Sequence, residues 1–287
     1  MRLVTYDREG ARRLGAWVGS AVVDLPDAVG HPAFPTTMES LVSRCGGTTL
    51  DAARDALAHP DYVGDSAVDG ARLLVPVVPI SLIEHRWVIG PDDPVPWPSW
   101  AEEVDYHLEV ACVIAKAGRD LSADQAASTI FGYTLMNDWS SQGVAPSGRG
   151  RPRVERFATS LGPCIVTADE FDPSRGRLTA RVDGDLWSSG SLGQAVGTFP
   201  QLIAELSRSQ RLYPGDIVGS GTFPGGCALD LGLRLEAGSV VELEADGIGV
   251  LRNRLAGPLE QPPARSSARR PERLSRSAAR SVRDSSA

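Results

Sequence analysis

His107 and Glu109 stand two residues apart in the segment VDYHLEVACVIAKAGRDLS. Side chains alternate across a strand, so both point to one face, with Ala111 and Val113. Leu108, Val110, Cys112 and Ile114 point to the other. Asp138 closes a second strand-like run, FGYTLMNDWS, where the chain enters a loop. Two carboxylates and an imidazole converging at such a place make a divalent-metal site with open positions for a chelating substrate. Taken by themselves, however, these residues read more simply as the solvated face of a half-exposed strand.

Other chemistries find little footing. The chain contains no GxSxG, HExxH, GxxxxGK[ST] or GxGxxG, so no nucleotide cofactor is expected. The glycine-rich loop GSGTFPGG (219–226) fits neither a phosphate loop nor a dinucleotide fingerprint. The four histidines, His31, His59, His85 and His107, are isolated in sequence, which gives no support for a triad. Cys45, Cys112, Cys164 and Cys227 lie far apart without a CxxC pair, and read as buried free thiols in a reducing compartment.

The elements that position these residues are mostly strands. Residues 1–30 give short strands separated by charged turns. TMESLVSR and TLDAARDALAH are helical, with Thr37 and Thr49 as caps. Pro76 and Pro79 interrupt the apolar run ARLLVPVVPISLI and mark a joint between a small N-terminal α/β module (1–70) and a main body (71–255). The body holds further strands (CIVTA, LTARVDG, DIVGSGT, SVVELEADGIGVLRN) and one clear helix, TFPQLIAELSRS. This is an α+β, β-rich pattern without βαβ alternation.

Three of these segments, in order and sensibly spaced, resemble the fumarylacetoacetate hydrolase family: VDYHLEVACVIAKAGRDLS, AASTIFGYTLMNDWSSQ, and LYPGDIVGSGTFPGG with the closing VVELEADGIGVLRNRL. The resemblance spans roughly 90–255. It implies a mixed β-barrel or roll body, a homodimer, a small-molecule substrate, and a cleft lined by His107, Glu109 and Asp138. In the family this cleft holds magnesium, manganese or calcium and polarises a 2-oxo or β-diketo acid. Thr222 and Gly221 fall in its Gly-Thr-Pro loop, on the expected opposite wall, where hydroxyl and amides can bind a carboxylate or enolate. Tyr133 matches its Gly-Tyr strand.

The departures from the pattern carry equal information. His107 stands where the family has its first glutamate, which weakens any site for a hard divalent metal. The family's lid segment, expected near 80–90, is replaced by ISLIEHRWVIGP, where His85 is the one remnant. Its two lysines are missing, since Lys116 is the single lysine in the chain; Arg153 stands near the second lysine's place and Gln142 at an arginine's. These changes point to a repurposed enzyme that moves protons on an enolisable oxo or diketo substrate, by dehydration, cyclisation or isomerisation, in specialised metabolism. Two alternatives stay open. One is a conventional metal-dependent C–C hydrolase, decarboxylase or isomerase; the other is a non-catalytic binding or scaffold homologue.

Charge and hydropathy limit the partners. The net charge is −7, although residues from Pro258 onward carry seven arginines against Glu260, Glu272 and Asp284. The remainder is therefore strongly acidic and is not expected to bind nucleic acid. No apolar run is long enough to cross a membrane. The opening MRLVTYDREGARRLG lacks the apolar core of a secretory signal, so a cytoplasmic location is expected. The basic tail, 256–287, has almost no large apolar side chain to offset its ordering entropy and reads as disordered. Ending the chain at Gly257 is expected to leave the melting temperature unchanged in a thermal scan; a clear loss of stability would show that the tail docks.

Overall fold

The computed structural model of the chain describes residues 1–44, 47–79, 87–99, 101–143, 153–194 and 197–257. Three strands come first, β1 (Arg2–Arg8), β2 (Ala11–Val18) and β3 (Ala21–Asp24). Short helices α1 (Leu25–Val29), α2 (Met38–Ser43), α3 (Gly47–Leu57) and α4 (Pro60–Asp65) follow, then β4 (Ala67–Val68). Next are β5 (Trp87–Ile89), β6 (Pro94–Val95), β7 (Glu103–Asp105) and β8 (Leu108–Ile114), then α5 (Ala123–Ala127). The long strands β9 (Ile130–Gly143) and β10 (Arg153–Thr167) form the spine. After them run β11 (Arg177–Val182), β12 (Asp185–Ser191), α6 (Phe199–Ser209), β13 (Ile217–Gly219), β14 (Val240–Ala245) and β15 (Gly249–Leu255).

The expected caps are half right. Thr37 caps α2 by accepting from the Ser40 amide, but α3 opens at Gly47, two residues before Thr49. A sheet in the order β13-β8-β9-β10-β1-β2-β3-β4, with β5 and β7 attached, faces a second in the order β12-β11-β14-β15-β6. Pairing is antiparallel except where β5 joins β10 and β6 joins β15. The α+β, β-rich expectation holds, while the barrel takes the form of two open mixed sheets among the described residues. The second sheet ends at a two-residue strand that begins with Pro94, which has no N–H to extend the ladder.

Residues 1–70 add their strands to the sheet of the body, with Arg2 opposite Val166 and Leu3 opposite Ile165. Met38, Leu41 and Ala53 share a core with Val113, Phe131 and Ile165. Of the tail, Ala256 still donates to the Val95 carbonyl; residues 258–287 lie outside the described residues, as does Cys45. Cys112, Cys164 and Cys227 are buried free thiols, as expected.

The alternation read in β8 organises the interior. Leu108, Val110, Cys112 and Ile114 pack between the sheets with Leu135, Trp139, Leu178 and Leu243. The opposite face is covered too: Glu109 is only 3% exposed, and Ala111 and Val113 are fully buried. A half-exposed strand with a solvated face is therefore not what forms. Among the described residues Trp139 is the largest fully buried side chain, and its indole N–H donates to Ser160 Oγ at 2.8 Å. Trp139→Ala leaves a cavity between the sheets and an unpaired hydroxyl. It is expected to lower unfolding stability by about 3–5 kcal/mol in denaturant titration.

Candidate active site

Cross-strand register assembles the site. Glu109 on β8 lies opposite Met136 on β9, Asp138 opposite Thr159 on β10, and Ser140 opposite Arg156. Directly paired residues share a face, and so do residues two apart, so Glu109, Asp138, Ser140, Thr159 and Arg156 all point the same way. His107 enters β8 beside them, its amide held by Asn137 Oδ1 at 2.9 Å. The loop after β13 then folds over Glu109. Gly219 allows this close approach, because a Cβ there would come within 2.7 Å of Glu109 Oε2. Gly221 takes a left-handed φ of 73° and donates its N–H to the same oxygen at 3.0 Å.

A hydrogen-bonded chain runs through the cluster. Thr222 Oγ1 donates to Glu109 Oε1 at 3.3 Å, long for such a bond. His107 Nδ1 lies 3.0 Å from Thr222 Oγ1, and His107 Nε2 lies 2.9 Å from Ser140 Oγ. Since the single Thr222 hydroxyl proton points at the carboxylate, Nδ1 must donate to Thr222 and Nε2 must accept from Ser140.

The electrostatics suit proton exchange. Burial, with the Asp138 charge adding to it, pushes the Glu109 carboxyl up to about 7, against Arg156, the Gly221 amide and the Thr222 hydroxyl. Burial, reinforced by the Arg156 charge, brings His107 down to about 4, so the imidazole is neutral near pH 7. Arg156 Nη1 forms an ion pair with Asp138 Oδ2 and stands 3.8 Å from Glu109 Oε1. Thr159 Oγ1 donates to Asp138 Oδ1 at 3.1 Å.

This arrangement does not fit a divalent cation. The space between the two carboxylates is taken by a guanidinium, and both imidazole nitrogens are engaged by hydroxyls. Among the described residues, no three His, Cys, Asp or Glu side chains are set to share one ion. The expected metal trio of His107, Glu109 and Asp138 is thus brought together, but as a hydrogen-bonded and ion-paired cluster.

The remaining expected residues divide. Thr222 is not on an opposite wall; it touches both His107 and Glu109, because the Gly219–Gly221 turn lays the loop on β8. Tyr133 does not join. Its odd position on β9 turns it into the core, between Phe171 and Phe199, where burial raises its hydroxyl to about 12. Gln142 and Arg153 lie on paired stretches of β9 and β10, where Gln142 is opposite Val154 and Arg153 opposite Gly143. His85 lies outside the described residues. Sequence reasoning missed Ser140, Thr159 and Arg156. Ser140 was within reach, being two residues from Asp138 on one strand.

Residues 53–256 match the model of the fumarylacetoacetate (FAA) hydrolase C-terminal domain. The chain belongs to the fumarylacetoacetate hydrolase family. It is 32% identical over 289 residues to the mitochondrial oxaloacetate tautomerase Fahd2a of Rattus norvegicus, covering 89% of this chain and 91% of that protein. Among solved structures, maleylpyruvate hydrolase of Sphingobium sp. SYK-6 superposes with a TM-score of 0.68 at 26% identity, covering 89% and 99% of the two chains. Another structure of that hydrolase, with a TM-score of 0.67 at 24% identity and the same coverage, holds manganese(II) and pyruvate. The family relatives are named enzymes, and this chain is an enzyme of the family. No helix among its described residues is long and apolar enough to cross a membrane.

A carboxyl whose folded pKa lies above its unfolded value adds stability that is fully present below the unfolded pKa and is lost as pH rises through the folded one. For Glu109 that window runs from about 4.5 to about 7. Glu109→Gln removes the buried charge with little change of shape. It is expected to raise the melting temperature by a few degrees at pH 8 and to leave it nearly unchanged at pH 4, as differential scanning calorimetry at the two pH values would show.

Proposed function

We propose that this enzyme interconverts tautomers or double-bond isomers of an enolisable 2-oxo acid, with Glu109 as the group that carries the proton. The observation that carries this reading is a buried carboxyl poised near pH 7 at the end of a hydroxyl–imidazole–hydroxyl chain. As a carboxylate, Glu109 accepts the proton from the carbon next to the keto group. The C–H bond breaks and its electron pair moves to the keto oxygen as an enolate. Protonated Glu109 then returns the proton, to oxygen to give the enol or to a different carbon to give the isomer. The Gly221 amide and the Thr222 hydroxyl, itself held by His107, keep the carboxyl oriented for both transfers. The oxaloacetate tautomerase relative supports an oxo acid as the substrate class.

The hydrolytic alternative draws on the maleylpyruvate hydrolase neighbour, and needs a water activated beside the same carboxyl. The non-catalytic alternative has no support in relatives that are named as enzymes. A role in specialised metabolism, with dehydration or cyclisation as the reaction, remains a proposal, tested by which compound accumulates when the gene is deleted in its host.

The enzymatic test follows enol–keto interconversion of oxaloacetate and related 2-oxo acids by ultraviolet absorbance, together with product analysis for C–C cleavage. Activity without cleavage supports the isomerase; stoichiometric cleavage selects the hydrolase. Glu109→Gln is expected to lower kcat about 10²–10⁴-fold, and Thr222→Val to lower it less. The wild-type kcat/KM for carbon deprotonation should rise with pH through about 7, as Glu109 ionises. A flat profile between pH 5 and pH 9 would contradict the assignment of Glu109.

A further inference from the structure

Among the described residues Arg156 is the cation that meets both carboxylates, and the fold makes a specific provision for it. On a regular strand Arg156 and Thr159, three residues apart, would point to opposite faces. The β9–β10 ladder slips between Arg156 and Ala158, which pair with Ser140 and Trp139. Phe157 is the extra residue of this bulge, and both Phe157 and Ala158 pack in the intersheet core. The bulge turns Arg156 onto the face of Asp138 and Glu109, and such bulges recur where a strand must re-aim a side chain. Glu109 and Asp138 are only 3% and 6% exposed. Two carboxylates that close and that buried need a positive charge between them.

We propose that Arg156 is the resident cation of this site, neutralising Asp138 and Glu109 and binding the anionic end of the substrate, so that the enzyme works without a divalent metal. A guanidinium has donors on three nitrogens in a planar fork. Among the described residues, Arg156 contacts its two carboxylates through Nη1. Its side chain is 40% exposed, so donors remain for a carboxylate or an enolate oxygen. A permanently charged guanidinium also supplies no proton, which leaves transfer to Glu109. This inference rests on the proton-transfer reading for its substrate class.

The test uses the full chain with oxalate, a planar dianion that resembles the enolate of a 2-oxo acid, in the presence of EDTA. Isothermal titration is expected to show oxalate binding to the wild type, about tenfold or more weaker binding to Arg156→Ala, and an intermediate loss for Arg156→Lys, which keeps the charge without the fork. Near-UV circular dichroism checks that each variant is folded. If the alanine variant is not, the lysine variant and the wild-type metal measurements decide. Equal oxalate affinity in the folded variants, or no binding by the wild type under EDTA, would overturn the proposal. So would stoichiometric manganese(II) binding to the wild type, seen by electron paramagnetic resonance, combined with loss of activity on chelation. The two readings fail separately. Arg156-dependent oxalate binding without tautomerase or isomerase activity would sink the functional reading alone, while activity that is indifferent to Arg156 would sink this inference alone.

Discussion

The structure around the site turns on one constraint: Glu109 is a carboxyl held out of water beside a second carboxylate. Left alone, such a pair would be a heavy electrostatic burden on the fold. It is tolerated because each oxygen has an assigned contact. Glu109 takes the Gly221 amide and the Thr222 hydroxyl, Asp138 takes Thr159 and Arg156, and the guanidinium reaches both. The residual imbalance is expressed as a raised pKa, and this makes the carboxyl useful near neutral pH. In the proposed role of Glu109 as proton carrier, stability and chemistry oppose one another, because its environment disfavours its charge.

Precision in this cluster comes from the sheets. Five of its side chains are fixed by register on three adjacent strands, whose other faces are locked into the intersheet core by Leu108, Val110, Leu135 and Trp139. A one-residue slip would turn Glu109 and Asp138 into that core and is strongly disfavoured. Two irregular features complete the cluster. One is the bulge at Phe157, which presents Arg156; the other is the turn through Gly219 and Gly221, which brings Thr222 against His107. Sites built on rigid strands and adjusted by a bulge and a tight loop keep their geometry without large motions.

A maleylpyruvate hydrolase structure of the same fold contains manganese(II). In this chain an arginine side chain stands between the carboxylates. A neutral His107 bonded to two hydroxyls belongs with that arrangement, because it adds neither a negative charge nor an open lone pair. The oxaloacetate tautomerase relative shows that a family member this similar carries the name of a proton-transfer enzyme.

The sequence by itself determined the β-rich class, the family, the opposed faces of residues 107–114, and the grouping of His107, Glu109 and Asp138. Those properties are local, since a period of two and a set of ordered segments survive without coordinates. Only the tertiary structure decided what the group is. Burial of the second face of β8 depends on which strands lie beside it, and that burial changed a solvated strand face into a site with a shifted carboxyl. Tyr133 matched a family segment, yet its parity on β9 sent it to the core between Phe171 and Phe199. Arg156 was invisible for the opposite reason. Strict alternation places it away from Thr159, and the bulge that reverses this is a property of the pairing between β9 and β10, not of either strand's residues.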